Sequence, residues 1–169
     1  ERSGNRMLST INDLIDISKI EAGQVEVTET ETNINELTEY LYTFFKPELD
    51  LKNIAFSLDL ALPDHRANIS TDYEKLSAIL TNLIKNAIKY TREGEVLIGY
   101  AKRGKTLEFF VKDTGIGISE EHIQTIFNRF VQADLSLASE YEGSGLGLSI
   151  SRAYAEMLGG TISVESQPG

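Results

Sequence analysis

A chain of 169 residues, 41% hydrophobic and 25% charged, is sized and composed for one soluble domain with a real core and a short appendage. Its net charge of −10 argues against sequence-independent binding of nucleic acid, and means that any anionic ligand must be held by local groups or a metal. The absence of cysteine excludes a disulfide framework, a thiolate metal site and a cysteine nucleophile, and no signal-peptide pattern or membrane-length apolar run stands out.

The opening stretch NRMLSTINDLIDISKIEAG places Met7, Leu8, Ile11, Leu14, Ile15 and Ile20 near one helical stripe, with Gly23 as its stop. A helix of this length needs a surface to bury that stripe. It is either packed on its own domain or half of a dimerising hairpin, and the residues alone favour the first. QVEVTET then alternates as a short strand. From Asn33, NINELTEYLYTFFKPEL reads as a helix capped by Asn33 or Asn35, with Leu37, Leu41, Phe44 and Phe45 inward. IAFSLDL is a half-buried strand and DHRANIS a polar connector. A long helix follows from Asp72 to Tyr90.

EVLIGYA and TLEFFV, joined by KRGK, form a hairpin. DTGIGIS then leaves the second strand through an acid and closely spaced glycines, which is either a plain turn or a shaped loop. SEEHIQTIF is a short helix capped by Ser119, VQADLSLASEYEGSG a mobile loop, Leu146–Leu158 a last helix ended by Gly159 and Gly160, and TISVES a strand. Helices mixed with hairpin-joined strands indicate an α+β fold, helices layered on a largely antiparallel sheet.

At 100° per residue, Asn82, Asn86 and Lys89 fall within about 60° of helix surface. The core arc of Leu76, Ile79, Leu80, Leu83 and Ala87 begins beside Asn86. A half-buried amide there either bonds a neighbouring loop or offers its oxygen to a hard cation. EGSGLGLS opens the last helix, so its N–H groups and the helix dipole face whatever occupies the loop side. It has neither the spacing of a dinucleotide fingerprint nor a P-loop signature. IFNRF places Phe127 and Phe130 around Arg129. His65 and His122 have no metal-ligand partner at the usual spacing, and no Ser-His-Asp set is apparent.

Taken in order, NLIKNAIKYT, DTGIGI, IFNRF and EGSGLGLSIS resemble the N box, first glycine box, F box and second glycine box of the catalytic, ATP-binding domain of sensor histidine kinases. That family shares its superfamily with gyrase, mismatch-repair and heat-shock chaperone ATPases. The match covers almost the whole chain, and four ordered boxes are far more specific than any one.

The resemblance implies the two-layer, Bergerat-type sandwich of that family: a mixed, mostly antiparallel sheet covered on one face by helices. It implies ATP and Mg2+ as cofactors. Asp113 would accept a hydrogen bond from the adenine amine, with Gly115 and Gly117 letting the backbone approach the base and bend away. Asn86 would ligate Mg2+, Asn82 help hold metal and phosphates, Lys89 contact phosphate and Tyr90 cover the base. Ile118 and Phe130 would border the nucleotide, Gly143, Gly145, Leu146 and Gly147 would offer backbone to the phosphates, and Val131–Glu142 would be a lid. Arg129 would stabilise charge on the γ-phosphate.

The implied reaction is transfer of the γ-phosphoryl group to a histidine. The superfamily's hydrolases carry a glutamate four residues before the metal asparagine, and Asn82 stands there instead. A nucleotide-sensing regulatory module without kinase activity and a gyrase-type ATPase are the alternatives. INDLIDISKIEAG is similar to the end of the second helix of the family's dimerisation and phosphoacceptor hairpin, so residues 1–23 are expected to belong to that hairpin and 24–169 to the catalytic domain.

The phosphoacceptor box is absent, neither His65 nor His122 fits it, and the chain stops where the family continues into a last strand. We therefore expect a fragment of a longer kinase, one that binds ATP without phosphorylating itself. Its expected partners are the parent's histidine hairpin and, downstream, a response-regulator receiver domain, with no nucleic acid and no membrane contact by this segment. The expected location is a cytoplasmic segment of a bacterial membrane-anchored sensor.

Overall fold

The computed structural model describes residues 2–131 and 143–168. By its contacts the chain divides into two units: Thr28–Gly117, and Glu1–Val27 together with Ile118–Pro168.

The first of these carries both sheets. A four-residue strand, β1 (Thr30–Asn33), leads directly into helix α2 (Ile34–Leu51), whose N-cap is Asn33: its side-chain oxygen accepts from the N–H groups of Asn35 and Glu36. Asn35, the other expected cap, is buried instead. Its amide donates to the Leu62 carbonyl at 2.9 Å and to Asp64 Oδ1 at 2.7 Å, and its oxygen accepts from the Tyr100 hydroxyl. After β2 (Ala55–Leu60) come a 3₁₀ turn at Asp64–Arg66 and strand β3 (Asn68–Thr71). Helix α3 (Tyr73–Tyr90) follows with Asp72 as N-cap, and then the hairpin of β4 (Glu95–Arg103) and β5 (Thr106–Asp113).

β1 and β3 form an antiparallel pair. β2, β4 and β5 form a mixed sheet in that order, β2 parallel to β4 and β4 antiparallel to β5. Helices α2 and α3 lie against the mixed sheet. Ile34, Leu37, Leu41, Phe45 and Leu49 of α2, Leu76, Ile79, Leu80, Ile84, Ala87 and Ile88 of α3, and Val96, Ile98 and Tyr100 of β4 are its buried side chains. The α+β class read from the element order is what is observed.

Several local expectations are corrected. QVEVTET is irregular up to Glu29, and the strand begins only at Thr30. The Thr28 N–H is turned into the Asp72 carboxylate at 2.9 Å, so it is not offered to a ladder. The connector DHRANIS contains β3, a strand whose polar residues gain their order from pairing with β1 rather than from burial. Phe44 is 62% exposed, and only Phe45 of that pair turns inward. On α3 the expected core residues Leu76, Ile79, Leu80 and Ala87 are buried, but Ile84 and Ile88 join them in place of the expected Leu83, which is half-buried.

The second unit holds helix α1 (Arg2–Glu21), a four-residue helix α4 (Glu120–Ile123) and helix α5 (Gly147–Met157). α1 stops before Gly23, which has φ +66°. It buries Ile17, with Ile20 partly covered, against Leu146, Ile150 and Tyr154. Met7, Leu8, Ile11, Leu14 and Ile15, the expected core stripe, are exposed, so Ile20 belongs to the opposite face. α4 is shorter than SEEHIQTIF, and Ser119 meets His122 Nδ1 through its hydroxyl at 2.7 Å instead of capping a backbone N–H. Along TISVES the exposure alternates, Ile162 and Val164 half-buried, but no strand pairs with it among the described residues. Beyond Val131, the expected lid lies outside the described residues. Among those residues no helix is long and apolar enough to cross a membrane.

The N-terminus of α3 rests on one buried ion pair. Asp72 Oδ1 accepts from the Lys75 N–H at 3.0 Å, while Oδ2 accepts from Lys75 Nζ at 2.8 Å and from the Thr28 N–H at 2.9 Å. Burial pushes the carboxyl up, but the ammonium and the two N–H groups outweigh it and hold Asp72 at about 2. A native carboxyl that titrates below its unfolded value contributes fully above the unfolded pKa of about 3.9, and loses that contribution as pH falls toward the native value. Urea unfolding of Asp72→Asn, which keeps a capping oxygen, is therefore expected to show a loss of about 2 kcal/mol at pH 7 that shrinks between about pH 4 and pH 2. A loss that stays constant over that range would contradict the assignment.

Candidate functional site

In the unit Thr28–Gly117, the residues singled out from the sequence lie along the C-terminal half of α3 and at the exit of β5. Asn82 and Asn86, one turn apart, are both half-buried. The Asn86 amide has no hydrogen-bond partner among the described residues, which leaves its oxygen available to an outside donor or cation. Lys89 Nζ stands 4.7 Å from the centroid of the Tyr90 ring, so the ammonium and the aromatic face occupy one patch.

The glycine loop is tied to that patch through backbone. The Ile116 N–H donates to the Tyr90 carbonyl at 3.2 Å. A Cβ on Gly115 would stand 2.5 Å from the same oxygen, inside any real contact, so only glycine fits where β5 leaves beside α3. Asp113, at the end of β5, is exposed, and its Oδ1 accepts from the Gly115 N–H at 2.9 Å. That bond fixes the carboxylate's direction and leaves Oδ2 without a protein donor among the described residues. Gly117, at φ +71°, bends the chain away. The glycines thus answer first to the chain itself, one to a close carbonyl and one to a left-handed turn.

In the other unit the loop continues at Ile118, whose N–H donates to Ser166 Oγ at 2.9 Å. Phe130 is 66% exposed and holds φ +60°, an uncommon conformation for a non-glycine residue. Its N–H donates to the Gly145 carbonyl at 2.9 Å, and a Cβ on Gly145 would meet Phe130 backbone at 2.9 Å. IFNRF and EGSGLGLS are therefore hooked together by backbone across the residues between them. Gly143 is exposed, Leu146 is fully buried as the N-cap of α5, and Gly147 is that helix's first residue. Arg129 pairs with Glu21 of α1.

Sequence reasoning missed Ser144, which donates to Asp13 Oδ2 at 2.5 Å and accepts from the Leu146 N–H at 3.2 Å. A serine accepting from the N–H two residues on is a local turn signature that could have been read from EGSGLG. Asp13 and Glu21 carried no such signal, since their partners lie far along the chain. Among the described residues no group of three or more His, Asp or Glu side chains is placed to hold a metal ion.

Residues 71–169 match the profile of the histidine kinase-, DNA gyrase B- and HSP90-like ATPases. Over all of its length the chain is 38% identical to the sensor protein GacS of Pseudomonas syringae pv. syringae, and covers 19% of that protein. It is 35% identical over 99% of its length to the circadian input-output histidine kinase CikA of Synechococcus elongatus, of which it covers 22%. The chain spans about a fifth of the curated relatives it matches. Among solved structures it is similar to full-length ShkA in complex with AMPPNP, with TM-score 0.86, 29% identity, and 99% of this chain and 34% of that one covered. It is also similar to the catalytic domain of histidine kinase ThkA, with TM-score 0.66, 30% identity, and 76% and 82% covered.

Gly115→Ala should destabilise the chain by about 2 kcal/mol or more, because the backbone neighbour cannot yield as a flexible side chain would. Amide exchange at Ile116 should rise with it as the bond to Tyr90 opens. Wild-type unfolding and an unchanged Ile116 amide in the variant would show that the junction is not tight.

Proposed function

The chain belongs to the family of histidine kinase-, DNA gyrase B- and HSP90-like ATPases, and on that premise we propose that it binds Mg-ATP and delivers the γ-phosphoryl group to a histidine of a separate hairpin domain. It is an ATP-binding catalytic domain of the sensor histidine kinase kind. The observation that carries the proposal is Asp113, its carboxylate aimed by the Gly115 N–H, bound through the glycine loop to the end of a helix bearing an unengaged Asn86 amide.

Asp113 accepts from the exocyclic amine of adenine, which selects against guanine because its carbonyl would face an acceptor. Tyr90 covers the base, Gly115 and Gly117 shape the approach, and Ile118 and Phe130 border the nucleotide. Lys89 contacts phosphate. Gly143, Gly145, Leu146 and Gly147 offer backbone at the start of α5, where the helix dipole favours an anion. Asn86 ligates Mg2+ through its amide oxygen, and Asn82 helps to hold metal and phosphates. One amide ligand suits an ion that keeps most of its coordination for phosphate oxygens and water, and when bound it neutralises charge on the transferring group.

A neutral imidazole nitrogen forms the bond to the γ-phosphorus as the bond to the β,γ-bridging oxygen breaks and ADP leaves with the electron pair. Arg129 stabilises the charge on the γ-phosphate. This nucleophile needs no strong base beside the ATP, in keeping with Asn82 at a position where a hydrolase carries glutamate.

Neither His65 nor His122 is the acceptor; the latter is engaged with Ser119. We place residues 1–23 at the end of the second helix of the acceptor hairpin, 24–169 in the catalytic domain, and the whole in a longer sensor. The exposed stripe of Met7, Leu8, Ile11, Leu14 and Ile15 supports that placement as the surface a hairpin partner would cover. The acceptor hairpin and a receiver domain downstream are the proposed partners, and a cytoplasmic segment of a membrane-anchored parent the proposed location.

Calorimetric titration tests this. Wild type should bind ATP more tightly with Mg2+ than without. Asn86→Ala should abolish the Mg2+ enhancement, and Asp113→Asn should weaken binding at least about tenfold, the equivalent of ~1.4 kcal/mol. A folded wild type that does not bind ATP would overturn the proposal, and steady-state hydrolysis would move it to the ATPase alternative.

A further inference from the structure

Asp13, Ile17 and Glu21 lie four residues apart in succession and so form one line along α1. Each touches a segment already singled out. Ile17 packs on Leu146 and Ile150, Asp13 accepts from Ser144, and Glu21 pairs with Arg129. The line is an apolar anchor with a carboxylate two turns apart at either end.

What these carboxylates hold are the groups expected to meet phosphate. A serine hydroxyl has one proton, and Ser144 gives it to Asp13 at 2.5 Å, which turns its oxygen toward the Leu146 N–H at 3.2 Å. That N–H is thereby occupied. The Arg129 guanidinium is likewise neutralised by Glu21. A carboxylate and a phosphate are both anionic acceptors, and placing them side by side on one donor is unfavourable.

We propose that α1 acts as a clasp that competes with the nucleotide's polyphosphate: docked, it withholds the Leu146 N–H and Arg129, and bound ATP loosens it. Because coupling between two binding events is reciprocal, ATP weakens the docking of α1 by the same factor as docking weakens ATP. The inference rests on the ATP reading above and adds the residues that regulate that site. Whatever pulls α1 away from this line then raises nucleotide affinity without touching a nucleotide contact.

The test uses the whole chain with Asp13→Ala and Glu21→Ala together. Alanine maintains the helix, and Ile17 is left to anchor it. The double variant should bind ATP about tenfold more tightly than wild type, as expected for the loss of a charge-assisted hydrogen bond and an exposed ion pair. In wild type, ATP should speed amide exchange across the second half of α1. Asp16→Ala removes one charge from the same helix, against two in the double variant, but no bond to either segment, and should leave affinity unchanged. An unchanged affinity in the double variant, beside wild-type binding, overturns the clasp alone, as does a gain of about threefold in Asp16→Ala, the share that one of two charges would carry by simple repulsion. No ATP binding by either wild type or double variant overturns the ATP reading and the competition with it.

Discussion

One carbonyl, that of Tyr90, holds the charged end of β5 against the end of α3. It accepts from the Ile116 N–H and lies so close to Gly115 that no side chain fits between. Asp113 could otherwise sit on any strand end. With this junction its strand end is tied to the Tyr90 backbone at the end of α3, and its own oxygen is aimed by the same glycine. The site's precision in this unit therefore comes from backbone at a helix terminus, where carbonyls lack intrahelical partners and are free to accept from a loop. A side-chain link would have left rotamer freedom in the arrangement.

The elements legible in the sequence are those whose side chains create their own order. α3 and the β4–β5 hairpin carry clear helical and alternating periods, and their boundaries fall near where those periods end. β1 and β3 were illegible because neither has an apolar face to reveal it; each exists through the hydrogen bonds of the other. TISVES shows the converse, an alternating pattern with no strand beside it among the described residues. At the site, the order of the four motifs was legible, as was the arc shared by Asn82, Asn86 and Lys89. The Asp13–Ser144 and Glu21–Arg129 links were not, since their members are 131 and 108 residues apart and nothing local distinguishes those two carboxylates from the other acids of the chain.

α1 also shows why a single hydrophobic period can mislead. The stripe that looked like its core face is exposed, whereas Ile17 and Ile20 on the other side are covered. A helix with apolar residues on two faces has more burial to offer than one neighbour can accept. Periodicity reports that capacity, but not which face a given neighbour takes.

β2 and β4 run parallel, although the chain must return past β3 and all of α3 to pair them. Parallel neighbours need such a crossover, whereas β4 and β5 are joined by a tight hairpin. The consequence is kinetic. The hairpin closes a short loop and can form early, while β2 can dock only after the long intervening segment has been brought back, at a cost in chain entropy. The helix that carries Asn82 and Asn86 lies within that segment, so it is brought back over the sheet together with the closure of the β2–β4 pair.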